Sequence, residues 1–498
     1  MRAYLLHSRE PGLAPLLELL QIEHGTRLPS TDREERRIIY WGSYHPDKGD
    51  SESLQPVKSI VAALKPKRVA ELLSLQGIDC RLEGEDASPG ERWTHDYRVP
   101  VFHLQPLAVF HRSSGVFYSE GSLQVAGRRT GGVGVGSIGS GGGGAAVPMA
   151  LSRETEYVEL GTEQPGYYAM RAMREAVKTL YALGLDYGVV HVRVLASGAL
   201  CVRSVEAIPE LTPRLAKLFA DAMNSYDKWL ERTSTSAKRP VMLGADPEFL
   251  LVTDRGKVRF ASQFVGKDGP FGCDAIMLPS RRKIFPLAEL RPAPSTDVRR
   301  LIVHLHHTMQ LAAKQITDTS LRWVAGGMPV RGFPLGGHIH FSGVELDVAL
   351  LRALDNYIAL PLTLLEDERT AGRKPQYGFL GDFRRQRHGG FEYRVLPSWL
   401  VSPGVAKGVL ALAKLVGEHY RQLKARPLAE SDVLKAYYRS DKSRIRPLLP
   451  SLWRDLERLP SYKEYESYLL PLRRMMLQQR AWNELDDIRP KWKITPPS

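Results

Sequence analysis

Gly244-Ala-Asp-Pro-Glu-Phe-Leu-Leu-Val-Thr253 joins a short polar entry to a run of large apolar and β-branched residues, the composition of a buried strand. Residues two apart in extended backbone share a face, so Asp246 and Glu248 point together into a cleft if extension starts that early. Three other segments repeat this mixture of carboxylate or imidazole with glycine, arginine or proline. They are Ala288-Glu-Leu-Arg-Pro292, Gly336-Gly-His-Ile-His-Phe341 and Phe391-Glu-Tyr-Arg394. Glu289 and Arg291 alternate onto one side, as do Glu392 and Arg394. His338 and His340 share a face, and the glycines before them permit close backbone approach. The four segments are therefore expected to be neighbouring strands lining one polar cavity.

Such a cavity suits a metal and a phosphate. Carboxylates hold hard Mg²⁺ through oxygen, arginine matches phosphate oxygens two at a time, and together they neutralise charge that develops in phosphoryl transfer. Singly, each segment has a plainer reading. A surface Glu-x-Arg is usually a solvated pair of little worth, and a lone His-x-His is more often structural; four in one region shift the balance to function. A Zn²⁺ hydrolase built on His338, His340 and a carboxylate is the competing chemistry. The two arginine-bearing strands favour a phosphate-rich substrate over it.

Around this centre, the 498-residue chain is long enough for two to four domains. Its 43% apolar and 25% charged residues describe an ordinary globular protein. Cys80, Cys201 and Cys273 are far apart and odd in number, which fits a reducing, cytoplasmic setting rather than a disulfide framework. No apolar run reaches membrane-spanning length, so no membrane partner is expected. The formal charge of +14 invites a nucleic-acid reading. The excess sits in arginine patches (Arg281–Lys283, Arg384–His388, Arg473–Arg474) without aromatic interleaving, so nucleic acid is disfavoured against an enzyme of ATP and acidic substrates.

The polar run 231–240 reads as a linker. It divides residues 1–235 from a catalytic region, 241–425, and a helical, basic extension, 426–498, expected to pack on the catalytic region or on a second subunit, as in a homodimer. Before the linker, Thr212 and Pro213 look like the cap and first position of a helix running to about Glu231. Asp297 is expected to cap a helix reaching Ile316, and His304, His306 and His307 on it are read as ordinary face histidines. The glycine-rich Gly131–Gly144 stretch lacks the Lys-Ser/Thr ending of a P-loop; it reads as a surface loop, with phosphate cradling the alternative. Tyr377–Gly390 is read either as a substrate or closure loop or as plain surface, and Arg384, Arg385 and Arg387 there would suit an acidic molecule.

At these residues the chain resembles the phage-type carboxylate–amine ligases (COOH.NH2 ligase-type 2 amidoligases) of the glutamine synthetase and glutamate–cysteine ligase superfamily. The motifs are GADPEF at 244–249, GKDG at 266–269, ELRP at 289–292, GGHIHFSG at 336–343 and FEYRVLPS at 391–398. The resemblance implies an α+β fold whose antiparallel sheet forms a cupped active site for ATP and Mg²⁺, with Mn²⁺ as a substitute. It implies Glu248, Glu289, His338 and Glu392 as metal ligands, with Asp246 in support. His338 and His340 would contact metal and nucleotide phosphate. Arg291 and Arg394 would hold the transferring phosphate, and Lys267 and Asp268 sit in a matching loop. The implied reaction joins a small-molecule or peptide carboxylate to an amine through an acyl phosphate. A phosphotransferase using the same machinery, or a non-catalytic scaffold, are the alternatives.

A fainter resemblance to an ATP-grasp domain covers the N-terminal part: DYRVPVF at 96–102, LAVFHR at 107–112, ALGLDYGVVHVRV at 182–194 and VRSVEAIPEL at 202–211, with IIYWGSYH at 38–45 and the Lys65–Gly77 stretch. That family ends on Glu-Val-Asn. Here Ser204 and Glu206 stand at the Glu and Asn positions, and His191 replaces a further acid. Serine cannot replace a chelating glutamate, so a non-catalytic role is expected there, with a divergent second ligase centre the alternative.

Overall fold

The computed structural model describes residues 1–28, 36–42, 53–82, 93–113, 116–119, 122–125, 157–161, 163–235, 239–278 and 282–495. The Gly131–Gly144 stretch, Arg281 and the end of the 38–45 segment fall outside them.

Among the described residues the N-terminal part contains two larger sheets and a separate two-stranded hairpin. Strands β1 (Arg2–His7), β2 (Glu23–Gly25) and β3 (Arg36–Trp41) form a parallel sheet in the order β2-β1-β3. Next come β4 (Trp93–Phe102), β5 (Gln105–Pro106), β6 (Val109–Ser113), the hairpin of β7 (Val116–Ser119) with β8 (Ser122–Val125), and β9 (Val158–Leu160), β10 (Tyr187–Leu195) and β11 (Leu200–Glu206). Five of these make an antiparallel sheet in the order β11-β10-β4-β6-β9, with β5 on β4. Helix Tyr167–Ala182 packs on β4 and β10. Helix Pro213–Thr235 packs on β1 and β4, so it ties the two sheets together. Its start is as expected, with the Leu215 amide donating to Thr212 Oγ1 at 3.3 Å, but it takes in the first five residues of the expected linker. Asp227 on this helix accepts from the Ala3 amide at 2.7 Å, a bond spanning most of the N-terminal part.

From Met242 onward the strands are β12 (Met242–Val252), β13 (Val258–Arg259), β14 (Phe271–Met277), β15 (Lys283–Leu290), β16 (Arg322–Val324), β17 (Gly337–Ser342), β18 (Phe383–Arg385) and β19 (Phe391–Tyr393). They form one curled, wholly antiparallel sheet in the order β14-β15-β12-β17-β19-β18, with β13 and β16 also on β12. The fold is α+β with a cupped antiparallel sheet, as the sequence led us to expect.

Alternation along these strands separates the two faces. Phe249, Leu251, Ala288, Leu290, Ile339, Phe341 and Phe391 are almost wholly buried on one face. They share a core with helices Val298–Gln315 and Pro403–His419. Phe341 and Phe391 stack across the ladder at 5.1 Å. Burying each such ring contributes roughly 1.5–3 kcal/mol. The opposite face carries Asp246 and Glu248 and then a small apolar cluster of Leu250, Val252, Ile276, Leu287, Val324 and Leu335. One long strand thus serves a polar site over its first half and a hydrophobic plug over its second.

Asp297 caps the helix Val298–Gln315, accepting from the Arg300 amide at 3.1 Å. The histidines of this helix are structural where they bond: His304 Nδ1 meets Ala293 O at 2.7 Å and His306 Nε2 meets Trp492 O at 3.0 Å. The last residues fold back on the same chain. Helix Tyr462–Leu477 lies along Pro403–His419, and Trp492 Nε1 donates to Leu400 O at 2.7 Å. Among the described residues no helix is long and apolar enough to cross a membrane.

Candidate active site

The four segments singled out in the sequence lie side by side. Strand β12 pairs Asp246 with His338, Gly244 with His340, and Glu248 with Glu289; β17 pairs His340 with Glu392. Directly opposed residues on one face have Cβ atoms about 4.5–5.5 Å apart. Six carboxylate and imidazole side chains therefore crowd one patch of the concave face.

His338 Nδ1 lies 3.4 Å from Asp246 Oδ1 and 3.3 Å from Glu392 Oε1, and His340 Nε2 lies 3.0 Å from Asp246 Oδ2. Glu248 Oε2 accepts from the Gly336 amide at 2.6 Å. Glycine is required at 336 because a Cβ there would lie 2.2 Å from His338 Nε2. A Cβ on Gly337 would meet Pro397 O at 2.4 Å and the Trp399 ring at 2.6 Å. The close approach expected of these glycines is thus made twice, to a site ring and to a supporting loop.

The electrostatics follow from burial and crowding. Burial, then the charge of Asp246 and of Glu248, pushes Glu289 up to about 8. Burial pushes Glu248 up to about 7, with the charges of Asp274 and Asp246 adding to it. Burial also raises Glu392. Asp246 goes the other way: burial opposes its charge, but its contacts with His338 and His340 hold it well below the usual carboxylate range. Burial likewise opposes charge on His338, yet Asp246, Glu248 and Glu392 outweigh it and push the ring up to about 10.

Three overlapping sets place ligand atoms within 4.8 Å of one another: Asp246, Glu289 and His338; Asp246, His340 and Glu392; Glu248, Asp274 and Glu289. Their chemistry fits a hard divalent cation, being dominated by carboxylate oxygen. Asp246 Oδ1 and Glu392 Oε1 are shut off from solvent and accept no well-formed hydrogen bond among the described residues; they have only ion-pair contacts, with His338 Nδ1 and, for Glu392, Arg394 Nε, which leaves lone pairs for a cation.

Asp274 in β14 is the ligand candidate that sequence reasoning missed. It sits in FGCDAIM, an apolar strand with no paired motif residue, and only the pairing of β14 with β15 brings it beside Glu289. Ser398 was missed too; its hydroxyl donates to Glu248 O. So was Asp382, whose carbonyl accepts from the Arg394 amide at 3.0 Å and whose carboxyl burial pushes up to about 6.

The arginines are placed with more structural detail than expected. Arg291 pairs with Glu289 and donates to Lys267 O at 2.8 Å and Gly269 O at 3.3 Å, so it clamps the GKDG loop onto the site. Lys267 itself is exposed, with Nζ 4.4 Å from the Phe285 ring; Asp268 is exposed as well. Arg394 Nε is 3.4 Å and Arg384 Nη1 3.2 Å from Glu392. Arg385 faces the neighbouring cleft, whereas Arg387 is exposed and outside its lining.

In the N-terminal sheet, His191 pairs with Ser204 across the ladder and bonds Asp96 Oδ1 at 2.6 Å. Arg112 and Arg193 meet Asp96 Oδ2 at 2.8 and 3.1 Å, and Arg98 meets Glu206 at 2.8 Å. Asp96 and Glu206 on this face are thereby met by arginines.

No curated protein sequence matches the chain. Among solved structures, a bifunctional glutathione synthetase from Pasteurella multocida is similar at 12% identity over 51% of this chain, with a TM-score of 0.33. This chain spans 49% of that protein. The complex of prokaryotic ubiquitin-like protein with its ligase matches at 10% identity over 50% of this chain and 66% of the other, TM-score 0.32. Glutamate–cysteine ligase of Francisella tularensis in complex with AMP matches at 12% identity over 51% and 92%, TM-score 0.27. The profile of a sequence family described as phage phiEco32-like COOH.NH2 ligase-type 2 matches residues 243–494, just over half of the chain. That span begins in β12 and takes in every strand of the carboxylate–histidine patch, and the chain belongs to this family.

Proposed function

We propose that this chain is an ATP-dependent carboxylate–amine ligase that activates a carboxylate as an acyl phosphate and passes it to an amine. The observation that carries the reading is the convergence of Asp246, Glu248, Glu289, His338, His340 and Glu392 on one concave face, with Arg291 and Arg394 at its margin. A substrate carboxylate oxygen attacks the γ-phosphorus of ATP, the bond to the β–γ bridging oxygen breaks, and ADP departs. The amine nitrogen then attacks the acyl carbon, loses a proton, and phosphate leaves to give the amide. Glu248, Glu289, His338 and Glu392, with Asp246 and Asp274 beside them, would hold Mg²⁺, or Mn²⁺ in its place, which would neutralise charge on the phosphates. His340, held against its burial toward its protonated form by Asp246 and Glu392, and the two arginines complete a cationic margin for phosphate oxygens.

The proposal extends to organisation. Residues 1–235 act as a degenerate ATP-grasp-like domain that binds or positions rather than catalyses, since Ser204 and His191 stand where chelating acids belong. Residues 241–425 are the ligase domain and 426–498 its helical support. Three free cysteines suit a cytoplasmic setting.

The test is phosphate release from ATP with Mg²⁺ across mixtures of carboxylates and amines, with mass spectrometry of products. An amine-dependent product lighter by one water than its substrates is expected, with kcat/KM for Glu289→Gln down by at least about a hundredfold. A phosphorylated product accumulating without amine would replace the ligase by the phosphotransferase. No turnover with any mixture would favour the scaffold.

A further inference from the structure

Beside the carboxylate patch opens a cleft of about 2160 Å³. A site for one small ligand measures about 300–1,000 Å³, so a seated nucleotide would still leave more than half of this space open. Asp246, Arg291 and His340 of the site are among its lining residues. One wall is the helix Pro213–Thr235, where Tyr226 and Trp229 stack at 5.4 Å. The other is the end of the helix Pro403–His419 with Tyr420 and Arg421. The rim is β18 and the turn after it.

The charge of this lining is lopsided. Each carboxylate on it already has a cationic partner: Asp221 with Lys217 at 3.2 Å, Glu345 with Arg232 at 3.2 Å, Glu418 with Lys414 at 3.1 Å, and Asp246 with the two histidines. Arg239, Arg385 and Arg421 line the same cleft, and none of them has a carboxylate of a described residue within ion-pair distance. Arg385 rides on β18, the outermost strand of the sheet, whose outer edge has no strand partner among the described residues. An open edge of this kind accepts extended backbone.

We propose that the cleft binds an extended, carboxylate-rich peptide chain as one substrate of the ligase site. One carboxylate of the chain lies at the Asp246–His340–Arg291 end, and the remainder runs past Arg385 toward Arg421 and Arg239. The position of the reacting end rests on the ligase reading; the docking of the chain does not. Arginine is suited to this task because its planar fork takes carboxylates in pairs and stays charged at every working pH.

The test uses the full chain with Mg²⁺ and a fluorescein-labelled poly-glutamate peptide, read by anisotropy. The competitors are free glutamate, a neutral Gly-Ser peptide of equal length, and an oligothymidylate of equal charge. The acidic peptide is expected to bind at least about tenfold more tightly than glutamate, as steered charge pairs allow, and the neutral peptide not to compete. In the double variant Arg385→Glu/Arg421→Glu the peptide-to-glutamate ratio of affinities should fall by about tenfold or more. Arg385→Gln/Arg421→Gln, which leaves volume nearly intact, should show a smaller fall in the same direction, so a folding defect in the first variant does not decide the matter. Peptide affinity equal to that of glutamate, or unchanged in both variants, overturns the proposal. Oligothymidylate binding as tightly, with the same arginine dependence, overturns it in favour of nucleic acid. Arginine-dependent peptide binding without amide product from any amine retains the docking site and removes the ligase reading.

Discussion

Glu248 and Glu289 face each other across the β12–β15 ladder, an arrangement that destabilises a sheet when both are charged. Glu289 is only 5% exposed, and burial with its acidic neighbours raises it from an ordinary 4.5 to about 8. Below 4.5 both folded and unfolded chains hold the proton. Between 4.5 and 8 only the folded chain does, so the contribution to stability is lost as pH rises through the folded value. A bound divalent cation reverses this, since it needs the carboxylates ionised. In EDTA the melting temperature should therefore fall from about pH 5 to about pH 8, and Mg²⁺ should restore most at the alkaline end. Glu289→Gln should flatten the fall and blunt the Mg²⁺ effect. Thermal melts across pH with and without metal check this; equal Mg²⁺ stabilisation at both ends would sink the reading of Glu289 as a ligand. The residue itself was legible in ELRP because period two put it beside Arg291. Its second partner, Asp274, was not legible, because its strand carries no repeat of the motif and only tertiary pairing brings it near.

At the scale of elements, strand identity could be read from local chemistry, whereas neighbour order could not. FLLVT, HIHF and FEY announce strands by β-branched and aromatic residues. Nothing local says that β12 takes β15 on one part of its length and β17 on another, because the pairing residues lie about 40 and 90 positions apart. The helix beginning at Pro213 was legible through its cap, but its end was not. The polar residues after Glu231 resemble a linker, yet they tolerate helix where one face still packs. What the glycines of GGHIH do is set by β17 and the segment after β19 together. Gly337 donates to Leu396 O at 3.0 Å and accepts from Trp399 Nε1 at 2.9 Å. Gly337→Ala would drive a methyl group into Pro397 O and the Trp399 ring, so strand and segment must separate. The expected cost is about 1–3 kcal/mol by urea unfolding, with the proposed ligase activity falling further than stability because His338 moves with the strand. Stability unchanged within error would show that the segment yields freely and does not hold β17.

Across the whole molecule, a buried carboxylate links the N-terminal part to a strand of the site. Asp355, in a short π-helical stretch (Asp355–Ala359), accepts from Tyr181 on the helix Tyr167–Ala182 and from Tyr393 in β19, both at 2.7 Å. Tyr393 stands between Glu392 and Arg394 in the chain, so a shift of the N-terminal helix is felt one residue from the cluster. Arg352, bonded to Asp186 at 2.8 Å and to Gly184 O at 3.1 Å, and Lys178, 4.2 Å over the Phe379 ring, brace the same contact. Burial pushes Asp355 up to about 7, against the pull of its two tyrosine hydroxyls and the Gly381 amide, and losing either hydroxyl strips a buried carboxylate of a donor at about 1–3 kcal/mol. Tyr181→Phe and Tyr393→Phe should each destabilise by that amount. The double variant should fall short of their sum by about 0.5–3 kcal/mol, because both strip the same carboxylate. Tyr181→Phe touches no residue of the patch, yet it should lower kcat/KM by an amount worth about 0.5–2 kcal/mol. Urea unfolding of the four-member cycle and steady-state kinetics of the single variant measure the two effects. Additive stabilities with unaltered kinetics would mean that the N-terminal part rides on the ligase sheet without informing it. Coupling in both would make Asp355 the joint through which a ligand bound in one part is felt in the other.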